Sequence, residues 1–337
     1  MGGVDLHSIG RAADSFQQPV TAAEIQALCR RSLGADVLVT AATEIGVGTY
    51  NSTYRLDLDR GAPVVLRIAP TPARQSPDDR DAMRNEYAAA PFLAPLGLLV
   101  PRILAADFTH QLIDRDYMVQ TLVTGVPAST GLTAYPRSEW LPFYRQLGTI
   151  TRTIHDVRGA RFGPVAGPGH DTWSQALVSQ FEALAADQVD AGLDPDGCRR
   201  IIDLARHHRA VLDDIPGPRL LHGDLWTLNI LIDAAAAEPT ITGVLDSDRA
   251  CWGDPLGDVP LDRVRHLAEA EQDAFFTGYG TPVSTVSTAG TELREQFYRA
   301  RHVIGNQLDI QRRGLNFAEI PPIHWDLTDV LLTLEGT

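Results

Sequence analysis

From residue 37 to residue 70, apolar and polar positions alternate with a period of two in three successive runs, VLVTAATEIGVG, TYNSTYRLDLD and PVVLRIAP. That period turns successive side chains to opposite faces of a sheet, so the runs predict three antiparallel strands, with Asp59-Arg60-Gly61-Ala62 as the turn before the third. Ahead of them, Thr21-Ala-Ala-Glu24 has the form of a capping box, and Ile25, Leu28 and Leu33 share one side of the helix it opens. Behind them a proline-rich loop, APTPARQSPDD, leads to an expected helix over residues 80–93 that carries Glu86, then to strands near 103–108 and 117–123. Five strands and one inserted helix make a small α+β unit. Residues 1–17 are Gly-rich and lack periodicity, which predicts a flexible N-terminus.

After Gly125-Val-Pro127 the spacing lengthens to that of helices. SEWLPFYRQLGTITRTIH sets Leu141, Phe143, Leu147, Ile150 and Ile154 on one face, and SQALVSQFEALAADQV and CRRIIDLARHHRAVLDD are further amphipathic runs. Two short apolar strands interrupt the helices, one within LLHGDLWTLNILID at 220–233 and one around ITGVLD at 241–246, with the alanine run at 234–237 in the hairpin between them. The expected organisation is a flexible N-terminus (1–17), an N-terminal lobe (18–123) and a C-terminal lobe (124–337).

Composition narrows the classes. Forty-three acidic residues against 29 basic ones give a net charge of −14, which disfavours nucleic acid as a partner and favours cationic ligands through the long-range field. Spread over the surface, the same charge serves solubility. All 29 basic residues are arginine, so any mechanism that needs a lysine is excluded. No run of about 18 apolar residues is free of charge, and no membrane span is expected. The start, MGGVDLHSIGRAADSF, lacks the basic segment and long apolar core of a secretory signal, so a cytoplasmic location is expected. Cys29, Cys198 and Cys251 have neither CxxC nor Cys/His spacing and read as buried small hydrophobes rather than as disulfides or zinc ligands.

The stretch LLHGDLWTLNILID holds Asp224 and Asn229 in an apolar frame, and a plain buried strand with turn-forming polar residues is one reading of it. Seventeen residues past Asn229, Asp246 ends the next apolar strand. If the two strands pair, the three side chains meet at one mouth. Oxygen ligands without His or Cys suit magnesium, which binds few protein groups and keeps other positions for water and phosphate. Phosphoryl transfer needs these parts: a carboxylate to orient the attacking hydroxyl and take its proton, and an amide with a second carboxylate to hold the metal. D-x4-N followed by a further aspartate is also the spacing of a kinase catalytic loop and its metal-binding residue.

In the first lobe Gly46-Val-Gly48-Thr-Tyr-Asn51 lies between two strands. No helix follows, so a dinucleotide-binding reading fails; a hairpin over phosphate oxygens and an ordinary Gly-rich turn both remain. Arg67 on the third strand and Glu86 on the next helix stand where a kinase lobe offers a phosphate-binding cation and its partner, a solvated arginine and a surface glutamate being the rival reading. The arginine fork can reach two phosphate oxygens and a carboxylate, but it is bulkier than lysine and the exchange is not neutral.

Taken in order, GVGTYN, VLRIAP, Glu86, YMVQTLVTG, LLHGDLWTLN and GVLDSDRACWGDPLGD resemble the aminoglycoside phosphotransferase family of the protein-kinase-like fold, whose relatives include choline and homoserine kinases. The resemblance spans residues 35–265. It implies a bilobal α+β fold, with a small five-stranded antiparallel N-lobe carrying one inserted helix and binding the nucleotide, and a mainly helical C-lobe for catalysis and the acceptor. It implies Asp224 as the catalytic aspartate, Asn229 and Asp246 as Mg2+ ligands, and ATP or GTP held by Gly46, Gly48, Asn51, Arg67 and Glu86, with Gln120 to Leu122 gripping the base through the hinge backbone. His222 would pack beside the loop, and Asp258 would support it by accepting its backbone amides. Leu228 stands where a small residue is common, and Ser247 where an aromatic one is; both alter local packing and the shape of the acceptor pocket.

Trp226, Asp248 and Asp254 are candidate acceptor contacts, with Trp252 flanking the same mouth; solvated loop acids and packed aromatics are the rival readings. The expected function is a Mg-dependent transfer of the γ-phosphate of ATP or GTP to a hydroxyl of a small molecule, foremost a sugar hydroxyl on an antibiotic, as resistance chemistry. A metabolic kinase on choline, homoserine or a sugar would share every motif. A nucleotide-binding pseudokinase is expected to lack Asp224, Asn229 or Asp246, and all three are present. Oligomeric state is open.

Overall fold

The computed structural model describes residues 3–10, 16–45, 50–76, 80–280, 289–313 and 327–336. The first lobe is built on strands β1 (Asp5–His7), β2 (Val39–Glu44), β3 (Ser52–Leu58), β4 (Val64–Ile68), β5 (Ile103–Asp107) and β6 (Tyr117–Thr121), which form one sheet in the order β1-β2-β3-β4-β6-β5. Helix α1 (Ala22–Leu33) covers one face, its Ile25, Leu28 and Cys29 packing on Tyr54, Leu56, Leu66 and Val119. The short helix α2 (Ala82–Ala89) lies on the other, with Met83 against Ala69 and Met118. Between these layers all five residues of β4 are buried, Arg67 included.

Local chemistry explains the boundaries. Thr21 Oγ1 accepts from the Glu24 amide at 3.2 Å and Glu24 Oε2 from the Thr21 amide at 2.7 Å, a reciprocal cap that contributes about 1 kcal/mol to the start of α1. The helix expected over 80–93 ends at Ala89, because Pro91 and Pro95 cannot continue it, and residues 90–99 form a 3₁₀ stretch broken at Gly97 (φ 62°). The sheet has six strands rather than five. Asp5–His7, expected within a flexible N-terminus, pairs parallel with β2, a segment too short to show alternation.

The second lobe contains β7 (Val126–Pro127), α3 (Ala128–Gly131), α4 (Leu141–His155), β8 (Gly163–Pro164), α5 (Trp173–Asp190), α6 (Asp196–His207), α7 (Arg209–Leu212), β9 (Arg219–Leu221), β10 (Ile230–Asp233), β11 (Thr240–Val244), β12 (Cys251–Gly253), α8 (Val259–Val264), α9 (Glu269–Tyr279), α10 (Ala289–Arg313) and α11 (Leu327–Glu335). The apolar face of α4 joins Ile230, Ile232 and Phe275 in one core, while α5, α6, α10 and α11 close a second around Phe181, Ile201, Phe297 and Ile304. Helices α4 and α9 touch backbone to backbone at two glycines: a Cβ on Gly148 would lie 2.0 Å from Phe275 O, and one on Gly278 would lie 1.9 Å from Arg145 O.

Two small three-stranded sheets, β11-β10-β7 and β8-β12-β9, frame the centre of this lobe. Ile230 pairs with Val244, and the Leu245 amide donates to Asn229 O at 2.8 Å, so the residue after β11 is held beside the residue before β10. That register brings Asn229 and Asp246 together. Cys29, Cys198 and Cys251 are free and buried. Among the described residues no helix is long and apolar enough to cross a membrane.

Candidate active site

The loop that leaves β9 turns at Gly223, which has φ +82° and no room for a side chain: a Cβ there would meet Arg249 O at 2.1 Å. Only glycine suits both constraints. The loop is tied down from below by Asp258, whose Oδ2 accepts from the His222 amide at 3.0 Å and whose Oδ1 accepts from the Gly223 amide at 2.9 Å. His155 Nε2 lies 3.0 Å from Oδ2, and Val259 N donates to Oδ1 at 3.0 Å. Burial alone would raise the Asp258 carboxyl, but the His155 bond, the fields of His155 and His222 and the Gly223 amide outweigh it and hold the group at about 2. His222 is fully buried and kept below the usual imidazole range by burial, against the pull of Asp258 and Asp246. Its Nδ1 accepts from the Asp224 amide at 3.4 Å.

Asn229 Nδ2 donates to both the backbone oxygen (2.8 Å) and Oδ2 (2.7 Å) of Asp224, which fixes the carboxylate and leaves the Asn229 carbonyl oxygen outside that pairing. Burial raises the Asp224 carboxyl to about 6, opposed by Arg249 and reinforced by Asp246. Asp246 adopts φ 64°, a left-handed conformation that aspartate tolerates better than most residues and that marks functional turns. From the first lobe Arg67 donates to Glu86 and to Asp246 at once, so one buried guanidinium spans the α2 carboxylate and the carboxylate that follows β11. Burial raises Glu86 to about 7 even with Arg67 beside it, and burial together with Asp246 raises Asp248 well above the ordinary aspartate range.

The other expected residues separate. Gly46 and Gly48 lie outside the described residues. Asn51 is buried, its backbone oxygen accepts from Gln17 Nε2 at 2.7 Å, and its Oδ1 has no partner among the described residues. Gln120, expected to grip the base through its backbone, lies inside β6 between Val65 and Ile103; its side chain instead lines a cavity of about 20 Å³ shared with Glu86, His222 and Ser247. Oε1 of Gln120, Oε2 of Glu86 and Nε2 of His222 are buried without a partner among the described residues. Leu122 is half-exposed in the connection to β7. Trp226 is half-buried, with the Arg263 guanidinium 5.2 Å from its ring centre.

Asp254, expected at the acceptor mouth, is buried and bonded within the lobe. It is 4% exposed, its Oδ2 accepts from Arg294 Nε at 2.9 Å and Tyr298 Oη at 2.7 Å, and its Oδ1 caps the Leu256 amide at 3.2 Å, so it anchors α10. Trp252 stands edge-on to Phe92 at 4.9 Å and covers Gly159, a packing role.

Sequence reasoning missed four residues around this centre. Asn85 donates to Asp248 O and Ala250 O at 2.8 Å each and accepts from the Ala166 amide at 2.8 Å, so α2 is pinned to the second lobe beside Glu86. The place of Asn85 next to Glu86 on α2 was the available signal. Arg249 follows the Asp246 turn directly; Arg263 and His302 reach the mouth from α8 and α10, and no spacing in the chain connects them.

A carboxylate fixed by an amide, a second carboxylate beside it, and a cation–glutamate pair from another lobe are the parts of a kinase-type phosphotransferase acting on hydroxyl groups. The chain belongs to the phosphotransferase enzyme (APH) family, whose model matches residues 41–284. No curated protein matches it by sequence. Among solved structures it is similar to a thermostable mutant of aminoglycoside phosphotransferase APH(4)-Ia in ternary complex with AMP-PNP and hygromycin B (TM-score 0.58, 18% identity, 93% of this chain and 97% of that one). It is likewise similar to the GDP complex of aminoglycoside 2'-phosphotransferase-IIIa (0.58, 16%, 93% and 98%) and to a protein described as a fructosamine-3-kinase from Thermobifida fusca YX-ER1 (0.60, 18%, 93% and 99%).

The donor set suits magnesium. Asn229 and Asp246 offer an amide oxygen and a carboxylate side by side, and the Arg67 guanidinium resting on Asp246 marks a position where positive charge is already stabilised. Among the described residues no three His, Cys, Asp or Glu side chains gather in a group that could hold a metal ion.

Proposed function

We propose that this chain is a Mg-dependent small-molecule O-phosphotransferase that moves the γ-phosphate of ATP or GTP to an acceptor hydroxyl, with an antibiotic sugar hydroxyl as the first acceptor class and resistance as its consequence. The observation that carries the reading is the pair of bonds from Asn229 Nδ2 to Asp224, together with the Leu245–Asn229 bond that sets Asp246 beside them. Asp224 orients the acceptor hydroxyl and takes its proton as the hydroxyl oxygen bonds to the γ-phosphorus; the bond from phosphorus to the bridging oxygen breaks, and the nucleoside diphosphate leaves. Arg67, steadied by Glu86, faces the phosphates, and the hinge at Leu122 receives the base. Bound at Asn229 and Asp246, magnesium supplies neutralisation of the phosphate oxygens. The AMP-PNP and GDP of the similar structures support a nucleotide donor. A cytoplasmic location goes with this reading, and no nucleic acid or membrane partner enters it.

A metabolic alcohol kinase is the second reading. The likeness to a described fructosamine-3-kinase and the guanidinium beside Trp226 favour it. The experiment is a mass-spectrometric screen of purified protein with magnesium and ATP or GTP against antibiotics, choline, homoserine and sugars, looking for a phosphate mass gain. A gain on an antibiotic supports the first reading and a gain on a metabolite alone supports the second. Nucleotide binding with no transfer to any acceptor would leave a pseudokinase.

A further inference from the structure

On its C-lobe flank Asp224 feels two guanidiniums, Arg263 from α8 and Arg249 from the turn after Asp246. Arg263, on α8, is half-buried over the Trp226 ring, and the Trp226 amide donates to Asp224 O at 3.1 Å, so this cation stands two residues from the base. Among the described residues the Arg263 guanidinium makes no hydrogen bond and no ion pair; Asp262 and Asp224 act on it through their fields. A planar group with five N–H donors thus lies against an aromatic face with none of its donors committed to a protein acceptor among the described residues. Arg249, after the Asp246 turn, adds its field to Asp224 and lies 3.7 Å from Asp309. Arg301, on α10, donates to Gly257 O at 3.2 Å. Burial and then the fields of Arg301, Arg263 and Arg249 hold the next residue, His302, down to about 3, so it is neutral and its position registers the convergence of all three.

Donors that lack acceptors define what completes them. An ammonium group brought to this flank would meet like charge and leave the Arg263 donors unmet, whereas a carboxylate or phosphate would accept two of them in a fork. The overall charge of −14 favours cations at long range, but screening confines that field to about 8–10 Å, and at contact range the Arg263 guanidinium acts on the acceptor directly. Resting on the phosphotransferase reading above, we propose that the acceptor carries an anionic oxygen group near its reacting hydroxyl, and that Arg263, with Arg249 behind it, is the residue that selects for it.

The test is equilibrium binding by titration calorimetry of three probes on one skeleton, glucose 6-phosphate, glucose and glucosamine, to the full chain saturated with AMP-PNP and magnesium so that the nucleotide's own phosphate positions are filled. The anionic probe is expected to bind at least about tenfold more tightly than the other two, the scale of one charge-assisted fork. Arg263→Gln should remove that preference and Arg263→Lys, which keeps the charge but not the fork, should restore part of it; a wild-type-like melting transition shows each variant folded. Equal affinities, no measurable binding of any probe, tighter binding of glucosamine, or a preference untouched by Arg263→Gln each overturns the proposal. AMP-PNP affinity, measured first in the same samples, reports separately on the phosphotransferase reading: a chain that fails to bind nucleotide sinks that reading, whereas one that binds nucleotide without anion preference sinks only the role of Arg263.

Discussion

On the side of Asp224 that meets the N-terminal lobe, Asp246, Asp248 and Glu86 crowd three carboxylates around one guanidinium, Arg67. On the side built by α8 and α10, Arg249, Arg263 and Arg301 bring three guanidiniums around one neutral imidazole, His302. The two flanks ask for opposite things. The first has more acid than Arg67 can satisfy, the condition under which a divalent cation binds and carries phosphates with it. The second holds the Arg263 guanidinium, which is bonded to no acceptor among the described residues and suits an acceptor-rich group. On the proposed mechanism Asp224 stands between donor and acceptor, and the difference in charge would keep each substrate on its own side.

The largest expected effect removes the centre of this arrangement. Asp224→Asn should lower turnover by about 10³, with nucleotide affinity near the wild-type value, as steady-state kinetics and calorimetry would read. Since the Asp224 carboxyl is raised to about 6 and acts ionised, wild-type kcat/KM should fall as pH drops below that value and level off above it. Next, Asp246→Ala should weaken magnesium-nucleotide binding by at least about tenfold, and chelation of magnesium should do the same to the wild type; unchanged magnesium dependence would break the acidic-flank account.

Asp258→Asn should cost about 3 kcal/mol of stability in urea denaturation, because the amides of His222 and Gly223 and the His155 ring lose a buried anionic partner. The carboxyl sits at about 2 against an ordinary 3.8, so its stabilisation is complete above pH ~4 and is lost as pH falls toward 2. The wild type should lose about 2 kcal/mol across that window through this group, and the asparagine variant should not. The smallest change is Arg67→Lys: the ammonium keeps the Glu86 pair but cannot span to Asp246 as the fork does, and nucleotide KM should move by less than about tenfold.

How far each flank could be read from the chain follows from where its residues sit. The acidic flank comes from short, contiguous motifs: Asp224 and Asn229 in one loop, Asp246 at the end of the paired strand, and Arg67 in a strand whose period of two was plain. The basic flank is assembled by folding. Arg263 and His302 are 39 positions apart on helices whose amphipathic pattern records burial but not what the polar face meets. Asp254 misled because an acid in a polar loop looks solvated until Arg294 and Tyr298, 40 and 44 residues away, close on it. Likewise β1 escaped because three residues carry no period, and α2 ended early because Pro91 and Pro95 set a limit that a hydrophobic run hides.

The central claim is that Asp224 takes the proton of a hydroxyl that becomes phosphorylated. It is tested most directly by incubating wild type and Asp224→Asn with magnesium, ATP or GTP and the acceptor panel, and weighing the products by mass spectrometry. The account predicts a phosphate mass gain on a hydroxyl compound with wild type that nearly vanishes with Asp224→Asn while that variant still binds nucleotide. An undiminished gain with Asp224→Asn would contradict it.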